Sequence, residues 1–314
     1  MIEVDHLTKR YGPFTAVNDI SFHVEKGEIV GFLGPNGAGK TTTMRILTCY
    51  LPASEGGARI AGFDAFEQPL EVKRRIGYLP EHPPLYRDMH VETYLGFVAR
   101  IKGVPSKERT SRVQEVMERC GILDRRRQLI GQLSKGYQQR VGLAQAIVHS
   151  PDVIVLDEPT IGLDPNQIRE VRQLIKDLAQ DHTVILSTHI LPEVEMVCSR
   201  VIIINRGKIV AVDSTENLTR GRQGVETIYL EAVGSAADVE RTIRRVAGVN
   251  GVQPFGVEGA SCAFRITADI EGDVRPALAA GLVAENLGVL ELKRVDVSLE
   301  DIFVELTTSE EGGA

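Results

Sequence analysis

The sequence lacks the features that would place the chain in a membrane or outside the cell. No apolar run approaches the ~20 residues that a helix needs to cross a bilayer. The first residues, MIEVDHLTKRYG, contain no apolar segment typical of a signal peptide. The cysteines Cys49, Cys120, Cys198 and Cys262 stand alone, without a C-x-x-C pair, so they indicate neither a disulfide framework nor a metal site. We therefore expect a cytoplasmic protein with reduced cysteines.

A broad basic surface is also missing from this sequence. It contains 36 Lys and Arg residues against 43 Asp and Glu residues, which gives a net charge of −7. Because a nucleic-acid surface normally needs a basic face, this balance argues against nucleic acid as a partner. The run Arg125, Arg126, Arg127 is too short to reverse it. We interpret the run as the solvated end of a helix, with contact to acidic lipid headgroups as the alternative.

What the sequence does contain is a glycine-rich stretch, GPNGAGKTT, that follows the pattern G-x-x-x-x-G-K-T of a phosphate-binding loop. Glycines allow backbone N–H groups to turn toward a phosphate, the lysine adds a cation, and the threonine after it offers a hydroxyl to Mg²⁺. An apolar run at residues 28–33 predicts a strand before the loop, and residues 42–47 continue as a helix. The predicted nucleoside triphosphate site comprises Gly34, Pro35, Asn36, Gly37, Ala38, Gly39, Lys40, Thr41 and Thr42.

Polar residues also follow two apolar strands later in the chain. Asp157 and Glu158 end the first of these runs, and the carboxyl end of a buried strand is where ligands of open α/β sheets bind. Asp157 can hold Mg²⁺, and Glu158 can accept a proton from an attacking water. His189 ends the second run. Its neutral imidazole either contacts a γ-phosphate or serves only in packing.

Three further positions are candidates for contacts with a nucleotide or a metal. Tyr11, in LTKRYG, either stacks on an adenine ring or lies half-buried in a sheet. Ser134 is placed as a helix N-cap in LSKGYQQR, where the N–H groups either are capped by the protein itself or bind a phosphate from another molecule. Glu81, in IGYLPEH, is either a metal ligand or a solvated loop acid.

Taken in this order, the segments resemble the nucleotide-binding subunit of an ATP-binding cassette (ABC) transporter over about residues 1–220. The branch that the chain resembles most is that of drug-resistance and gliding-motility exporters. The resemblance implies that Tyr11 stacks on adenine, that residues 34–42 are the Walker A loop, and that Asp157 and Glu158 are the Walker B acids. His189 corresponds to the switch histidine.

The same resemblance implies the remaining roles. Lys40, Glu158 and His189 are expected to be catalytic, and Thr41, Asp157 and Glu81 to surround the metal. The family signature is matched by Ser134, Gly136 and Gln138, and the D-loop by Asp164.

Two departures from the family pattern stand out. The commoner signature is LSGGQ, and here Lys135 and Tyr137 replace a glycine and the glutamine. Glu81 stands where most cassettes carry a glutamine that joins the Mg²⁺ site to the membrane partner. An ionised acid can still ligate Mg²⁺, but it cannot donate a hydrogen bond.

The predicted fold is α/β, a P-loop NTPase cassette in residues 1–220 with an antiparallel edge sheet near its start and a helical subdomain at about residues 81–150. Residues 214–224 are polar and contain glycine, which indicates a linker. A β-α-β-β-α-β pattern in residues 225–314 then predicts a small α+β domain of ferredoxin-like type. An amphipathic helix is expected at residues 298–306 and disorder at residues 310–314.

The resemblance implies an ATPase subunit that powers a separate membrane permease, for export, from the inner face of the cell membrane. ATP and Mg²⁺ are the expected cofactors. Because the signature of one cassette reaches a γ-phosphate only when two copies face each other, a second cassette chain, as a homodimer, is the other expected partner. ATP binding would close this head-to-tail dimer and hydrolysis would reopen it. The cargo is not indicated.

Two other classes of protein share part of this pattern. Soluble cassette ATPases of DNA repair or translation generally carry tandem cassettes or long coiled coils, whereas this chain has one cassette, no sustained heptads and an acidic balance. A P-loop kinase or a small GTPase would leave LSKGYQQR and His189 without a role.

Overall fold

A computed structural model describes residues 1–215, 217, 225–258, 261–269 and 272–294 of the chain. The chain divides into two compact units, Met1–Thr215 and Glu216–Ala314. Within the described part, no helix combines the length and the apolar character needed to cross a bilayer.

The first unit is built on two sheets. Its strands are β1 (Ile2–Tyr11), β2 (Phe14–Val24), β3 (Ile29–Leu33), β4 (Glu55–Ile60), β5 (Phe63–Asp64), β6 (Ile76–Leu79), β7 (Val153–Asp157), β8 (Thr183–Thr188), β9 (Arg200–Asn205) and β10 (Lys208–Ser214). An antiparallel sheet has the order β2-β1-β4-β5, and a six-stranded sheet has the order β10-β9-β3-β8-β7-β6. In the larger sheet β10 runs antiparallel to β9, and the other neighbouring pairs are parallel. The predicted antiparallel edge sheet is confirmed.

The first unit has seven α-helices among its described residues, and three of them lie between β6 and β7 along the chain. They are α1 (Lys40–Leu47), α2 (Pro69–Arg75), α3 (Val91–Ile101), α4 (Arg109–Arg119), α5 (Lys135–Ile147), α6 (Pro165–Leu178) and α7 (Leu191–Val197). With two short 3₁₀ turns, α3, α4 and α5 form the predicted helical subdomain. Its helices are joined by side chains, as where the Tyr94 hydroxyl of α3 donates to Gln145 of α5.

The main core lies between the two sheets. Every residue of β7 is buried, as expected for a parallel strand that is covered on both faces. Phe22 of the antiparallel sheet and Phe32 of the parallel sheet have ring centroids 5.6 Å apart. Met44 and Leu47 of α1 pack into the same core. The helix that follows the glycine-rich loop is therefore anchored to both sheets.

The short apolar runs at residues 58–62 and 75–79 predict two further strands, and the structure differs at one end of each. Ala61 and Gly62 form a turn between β4 and β5 instead of ending a strand. Arg75 ends α2 instead of beginning a strand, because α2 continues directly into β6 at Ile76 without a loop. The patterns above do not predict β9, α6 or α7.

The second unit has the order of elements that the sequence predicts. Its elements are β11 (Val225–Val233), α8 (Ala236–Arg244), β12 (Val249–Glu258), β13 (Ser261–Asp269), α9 (Arg275–Ala284) and β14 (Gly288–Arg294). They form an antiparallel sheet of order β12-β13-β11-β14. Ile228 and Phe264 of the sheet share a core with Ile243 of α8 and Leu278 of α9. This topology is ferredoxin-like. The helix expected at residues 298–306, the expected disorder at 310–314 and most of the linker lie outside the described residues.

Candidate nucleotide site

The glycine-rich loop joins β3 to α1, and close backbone contacts explain two of its glycines. Gly39 has a φ of +109°, and a Cβ there would lie 2.5 Å from the carbonyl oxygen of Ala16 in β2. A Cβ on Gly34 would clash with the carbonyl oxygen of Ile204 in β9. In the sequence pattern, glycines are needed so that backbone N–H groups can turn toward a phosphate. The structure shows a second constraint, since the loop is held against the ends of two strands.

Lys40 begins α1 and turns back over the loop. Its Nζ donates hydrogen bonds to the carbonyl oxygens of Gly34, at 2.8 Å, and Pro35, at 3.2 Å. The side chain is only 6% exposed, and Nζ lies 3.6 Å from Oε1 of Glu158. A buried ammonium group and a helix N-terminus therefore act on the same side of the loop. Both favour an anion such as a polyphosphate.

Asp157 ends β7 and lies opposite Ser187 in the parallel register with β8. The Ser187 hydroxyl donates to Oδ1 of Asp157 at 2.5 Å, and the Thr41 hydroxyl donates to the same oxygen at 3.2 Å. Burial raises the pKa of the Asp157 carboxyl, the two hydroxyl donors offset part of this effect, and the negative charge of Glu81 raises the pKa further. Burial therefore disfavours the ionised form of Asp157, and a bound cation would favour it.

Thr41 and Asp157 fit a magnesium ion. Adjacent ligands of an octahedral Mg²⁺ stand about 2.9 Å apart, given bond lengths of about 2.0–2.1 Å. The Oγ1–Oδ1 distance of 3.2 Å is close to that spacing. In the described part of the chain, no group of three or more His, Cys, Asp or Glu side chains could hold a metal. One carboxylate, one hydroxyl and the oxygens of a nucleotide form the kind of ligand set that Mg²⁺ uses.

Glu81 lies in the loop that follows β6. Its carboxylate is 37% exposed and stands 3.7 Å from Nδ1 of His82. It acts on Asp157 through its negative charge. Direct ligation of a metal by Glu81 stays a prediction.

Glu158 leaves the sheet immediately after β7 with an unusual backbone. Its φ of +50° lies in the left-handed region, which costs a non-glycine residue of order 1–3 kcal/mol and persists only where the surroundings enforce it. The Glu158 N–H donates to the carbonyl oxygen of Ser187 at 3.1 Å. Nδ1 of His189 lies 3.0 Å from each carboxylate oxygen. The backbone turn thus places this carboxylate between Lys40 and His189.

The contact with Glu158 also restricts His189. An ionised carboxylate only accepts hydrogen bonds, so Nδ1 of His189 carries the proton that is shared with Glu158. In this arrangement Nε2 accepts when the ring is neutral, and it donates to a phosphate oxygen only when the ring is protonated.

The LSKGYQQR segment forms the start of α5, with Ser134 as its N-cap. The Ser134 hydroxyl accepts from the Tyr137 N–H at 3.4 Å. Gly136 faces the end of the Gln167 side chain on α6, which would have to shift to admit a Cβ. Gln138 donates to the carbonyl oxygen of Leu133 at 3.0 Å. Among the described residues, no hydrogen bond or ion pair joins Ser134, Gly136 or Gln138 to Lys40, to the Thr41–Asp157 pair or to the Glu158–His189 pair.

The other two predicted contact residues lie at the ends of elements. Asp164 is the N-cap of α6, and its Oδ1 accepts from the N–H groups of Asn166 and Gln167, each at 3.0 Å. Tyr11 ends β1 and is 45% exposed. Nζ of Lys9 lies 5.4 Å from the centroid of the Tyr11 ring. The exposed ring is accessible for stacking, and its role with adenine stays a prediction.

The chain is similar to known proteins in both sequence and fold. The family model described as ABC transporter matches residues 17–161. The chain is 34% identical over 310 residues to the uncharacterized ABC transporter ATP-binding protein YhcH of Bacillus subtilis (strain 168), covering 98% of this chain and 96% of that protein. It is 31% identical over 308 residues to the linearmycin resistance ATP-binding protein LnrL of the same organism, covering 98% of each. A solved dimeric structure of MJ0796, a bacterial ABC transporter cassette, matches with a TM-score of 0.63 and 25% identity over 68% of this chain and 98% of that one.

Replacing Asp157 with Asn is expected to stabilise the nucleotide-free protein at pH 7, since Asn removes the buried charge and its oxygen still accepts from Thr41 and Ser187. A gain of about 1 kcal/mol in the free energy of unfolding would raise the Tm of a unit of this size by about 2–4 °C. Because the folded pKa of Asp157 is raised, wild type loses stability as the pH rises through that pKa. The Tm difference should therefore shrink as the pH falls toward about 4, the ordinary aspartate pKa.

Thermal unfolding at several pH values measures this difference. Asp5→Asn, at a side chain that is 87% exposed, serves as the matched control and should leave the Tm unchanged. A lower Tm for Asp157→Asn at pH 7 would contradict the burial argument.

Proposed function

This chain belongs to the family of ABC transporter ATP-binding proteins, which are ATPases, and we propose that it uses ATP hydrolysis to power export through a separate membrane permease. The observation that carries the proposal is the convergence of Lys40, the Thr41–Asp157 pair and the Glu158–His189 pair at one edge of the parallel sheet. The relative LnrL is named for linearmycin resistance, which is consistent with export.

Each group in this cluster suits one part of phosphoryl transfer to water. Lys40 and the loop hold the phosphates, and Thr41 and Asp157 hold Mg²⁺, which neutralises phosphate charge when it is bound. The Glu158 carboxylate takes a proton from the attacking water. His189 donates to Glu158 through Nδ1 and so orients the carboxylate, which lies 3.0 Å away.

The proposal places a second copy of the chain across the site. In one chain the LSKGYQQR segment has its own contacts, yet the N-terminus of α5 and the Ser134 side chain are exposed. A helix N-terminus with a serine cap is suited to bind a phosphate. A head-to-tail dimer would bring this segment to the partner's nucleotide and form two equal sites. The solved structure of the MJ0796 cassette is dimeric, which supports a dimer of this chain.

A groove with a volume of about 460 Å³ is our proposed contact surface for the permease. It lies between the end of α1 and the β4–β5 region. Large apolar side chains are exposed along it: Tyr50 is 71% exposed and Phe66 is 79% exposed. Exposed apolar patches of this kind mark protein contacts.

Charge indicates which part of a permease fits this groove. Its lining includes the acids Asp64 and Glu67, together with Glu55, which is paired with Arg10, and none of the described lining residues is Lys or Arg. Cytoplasmic loops of membrane proteins carry an excess of Lys and Arg. We therefore propose that the occupant is a cytoplasmic segment of the permease that presents apolar residues together with basic ones.

Replacing Glu158 with Gln should slow ATP hydrolysis at least ~100-fold, because an amide cannot accept the proton of the water. ATP affinity should stay near that of wild type, since Lys40 and the loop are unchanged. Steady-state phosphate release and nucleotide binding measure the two effects. Size-exclusion chromatography with ATP should show a stable dimer of this variant. Near-normal turnover would move the general base to another residue.

The dimer proposal predicts complementation between two inactive variants. Ser134→Arg should bind ATP as a monomer but not hydrolyse it, and Lys40→Ala should lose phosphate binding. In a mixed dimer one site combines the intact loop of one chain with the intact signature of the other. Random mixing should then restore about one quarter of wild-type turnover, because half of the dimers are mixed and each holds one intact site.

The test is ATPase activity of the co-purified mixture against each variant alone. If the mixture turns over no faster than the two single variants, the LSKGYQQR segment does not act on the partner's nucleotide. Loss of ATP affinity in isolated Ser134→Arg would contradict the same claim.

The groove is tested with Phe66→Ser, which should weaken stimulation of the ATPase by the permease at least ~10-fold, since large aromatic anchors carry most of the energy of an interface. Basal turnover should be unchanged because Phe66 lies outside the nucleotide site. The matched control is Phe14→Ser, whose side chain is 62% exposed and does not line the groove. Equal stimulation of the two variants would place the permease elsewhere.

A further inference from the structure

Glu193 of α7 is a buried carboxylate that the chemistry above does not use. The residue is 2% exposed. Burying a carboxylate is unfavourable unless it is paired and hydrogen-bonded. Both conditions are met here, so the contacts of Glu193 indicate what it does.

The two carboxylate oxygens of Glu193 accept hydrogen bonds from side chains on two different segments of the chain. The Thr160 hydroxyl donates to Oε1, and the Thr188 hydroxyl donates to Oε2 at 2.9 Å. Thr160 follows Glu158 by two residues, and Thr188 immediately precedes His189. One side chain therefore joins the segment that carries Glu158 to the segment that carries His189.

A cation on α6, Arg172, completes a cluster with Glu193, Thr160 and Thr188. Nη2 of Arg172 lies 3.7 Å from Oε1 of Glu193, and the Arg172 side chain is 16% exposed. Nη1 of Arg172 donates to the sulfur of Met196 on α7. The cluster thus also ties both segments to α6, the helix that begins after Asp164.

The strained backbone of Glu158 explains why such a cluster is needed. A residue with a φ of +50° relaxes unless contacts on both sides hold it. On the β8 side, Glu158 is held through Ser187. On the other side, the chain is held two residues later, where Thr160 meets Glu193.

We infer that Glu193 is a positioning residue that keeps Glu158 and His189 aligned for hydrolysis through Thr160 and Thr188. It touches neither the phosphate loop nor the Thr41–Asp157 pair in the described contacts. Its removal should therefore lower kcat while the KM for ATP stays nearly constant. The inference rests on the proposed function, in which Glu158 and His189 carry out the hydrolysis.

The first experiment compares two substitutions at Thr160. Thr160→Val keeps the shape and removes the hydroxyl, and Thr160→Ser keeps the hydroxyl. Small misplacement of a catalytic group costs up to about 100-fold, so we expect Thr160→Val to lower kcat about 10- to 100-fold. Thr160→Ser should stay within about 2-fold of wild type, because its hydrogen bond is retained. Equal rates for the two variants would overturn the inference.

The second experiment tests Glu193 itself against its exposed neighbour Glu195. Glu193→Gln loses the charge that pairs with Arg172 and one of two acceptor oxygens, and it should lower kcat at least ~10-fold with the KM for ATP changed less than ~2-fold. Glu195→Gln, on the same helix, should match wild type. A change in KM alone would overturn the inference. If Glu193→Gln does not fold, the Thr160 pair decides.

A double-variant cycle separates positioning from general loss of structure. In a Glu158→Gln background, Glu193→Gln should lower kcat by less than about 2-fold, because both paths from Glu193 act through the Glu158 carboxylate and residues that act through one another are not additive. Effects that multiply in full would overturn the inference.

Failure of the proposed function is a separate result. If wild type does not hydrolyse ATP, the proposed function is wrong. If Glu158→Gln keeps normal turnover, the general base is another residue, and the role given to Glu193 fails with that of Glu158. If Glu158→Gln is slow and both Thr160 variants are equal, only the inference about Glu193 is wrong.

Discussion

The parallel pairing of β7 with β8 is the contact on which the nucleotide site depends. It places Asp157 opposite Ser187, so the residues that follow the two strands leave the sheet at the same edge. Glu158 and His189 meet there for that reason. Because β3 lies on the other side of β8, the glycine-rich loop brings Lys40 to the same edge. Three neighbouring strands thus deliver an acid pair, an imidazole and a cation to one place, as is typical of ligand sites in open α/β sheets.

Gathering these groups lowers the stability of the unit that holds them. Burial raises the pKa of Asp157, and Glu158 has left-handed backbone geometry. Hydroxyl groups offset part of both effects: Thr41 and Ser187 donate to Asp157, and Thr160 holds the segment after Glu158. Hydroxyl donors suit this task because they stabilise a carboxylate without neutralising it. The hydroxyl donors therefore favour the negative charge that the proposed function uses to bind Mg²⁺ and to accept the proton of water.

Local patterns in the sequence are sufficient to predict the parts of the site that lie within one segment. The phosphate loop and the acids after β7 follow from spacing and from an apolar strand, and the ferredoxin-like order of the second unit follows from alternation. Ser187 and Glu193 could not be found in this way. Their contacts depend on the register between β7 and β8 and on the packing of α7, whose partners are distant in sequence. No periodic pattern carries that information.

The position of α1 links the proposed permease surface to the chemistry. The helix begins at Lys40 in the phosphate loop, and Ile46, near its end, lines the groove with Tyr50. Its eight residues span about 12 Å, and Met44 and Leu47 anchor it in the core. A helix of this length moves as a rigid body. A displacement of its end at the groove would therefore displace Lys40 as well. By thermodynamic linkage the effect is reciprocal, and a nucleotide that shifts Lys40 would alter the affinity of the groove for its partner.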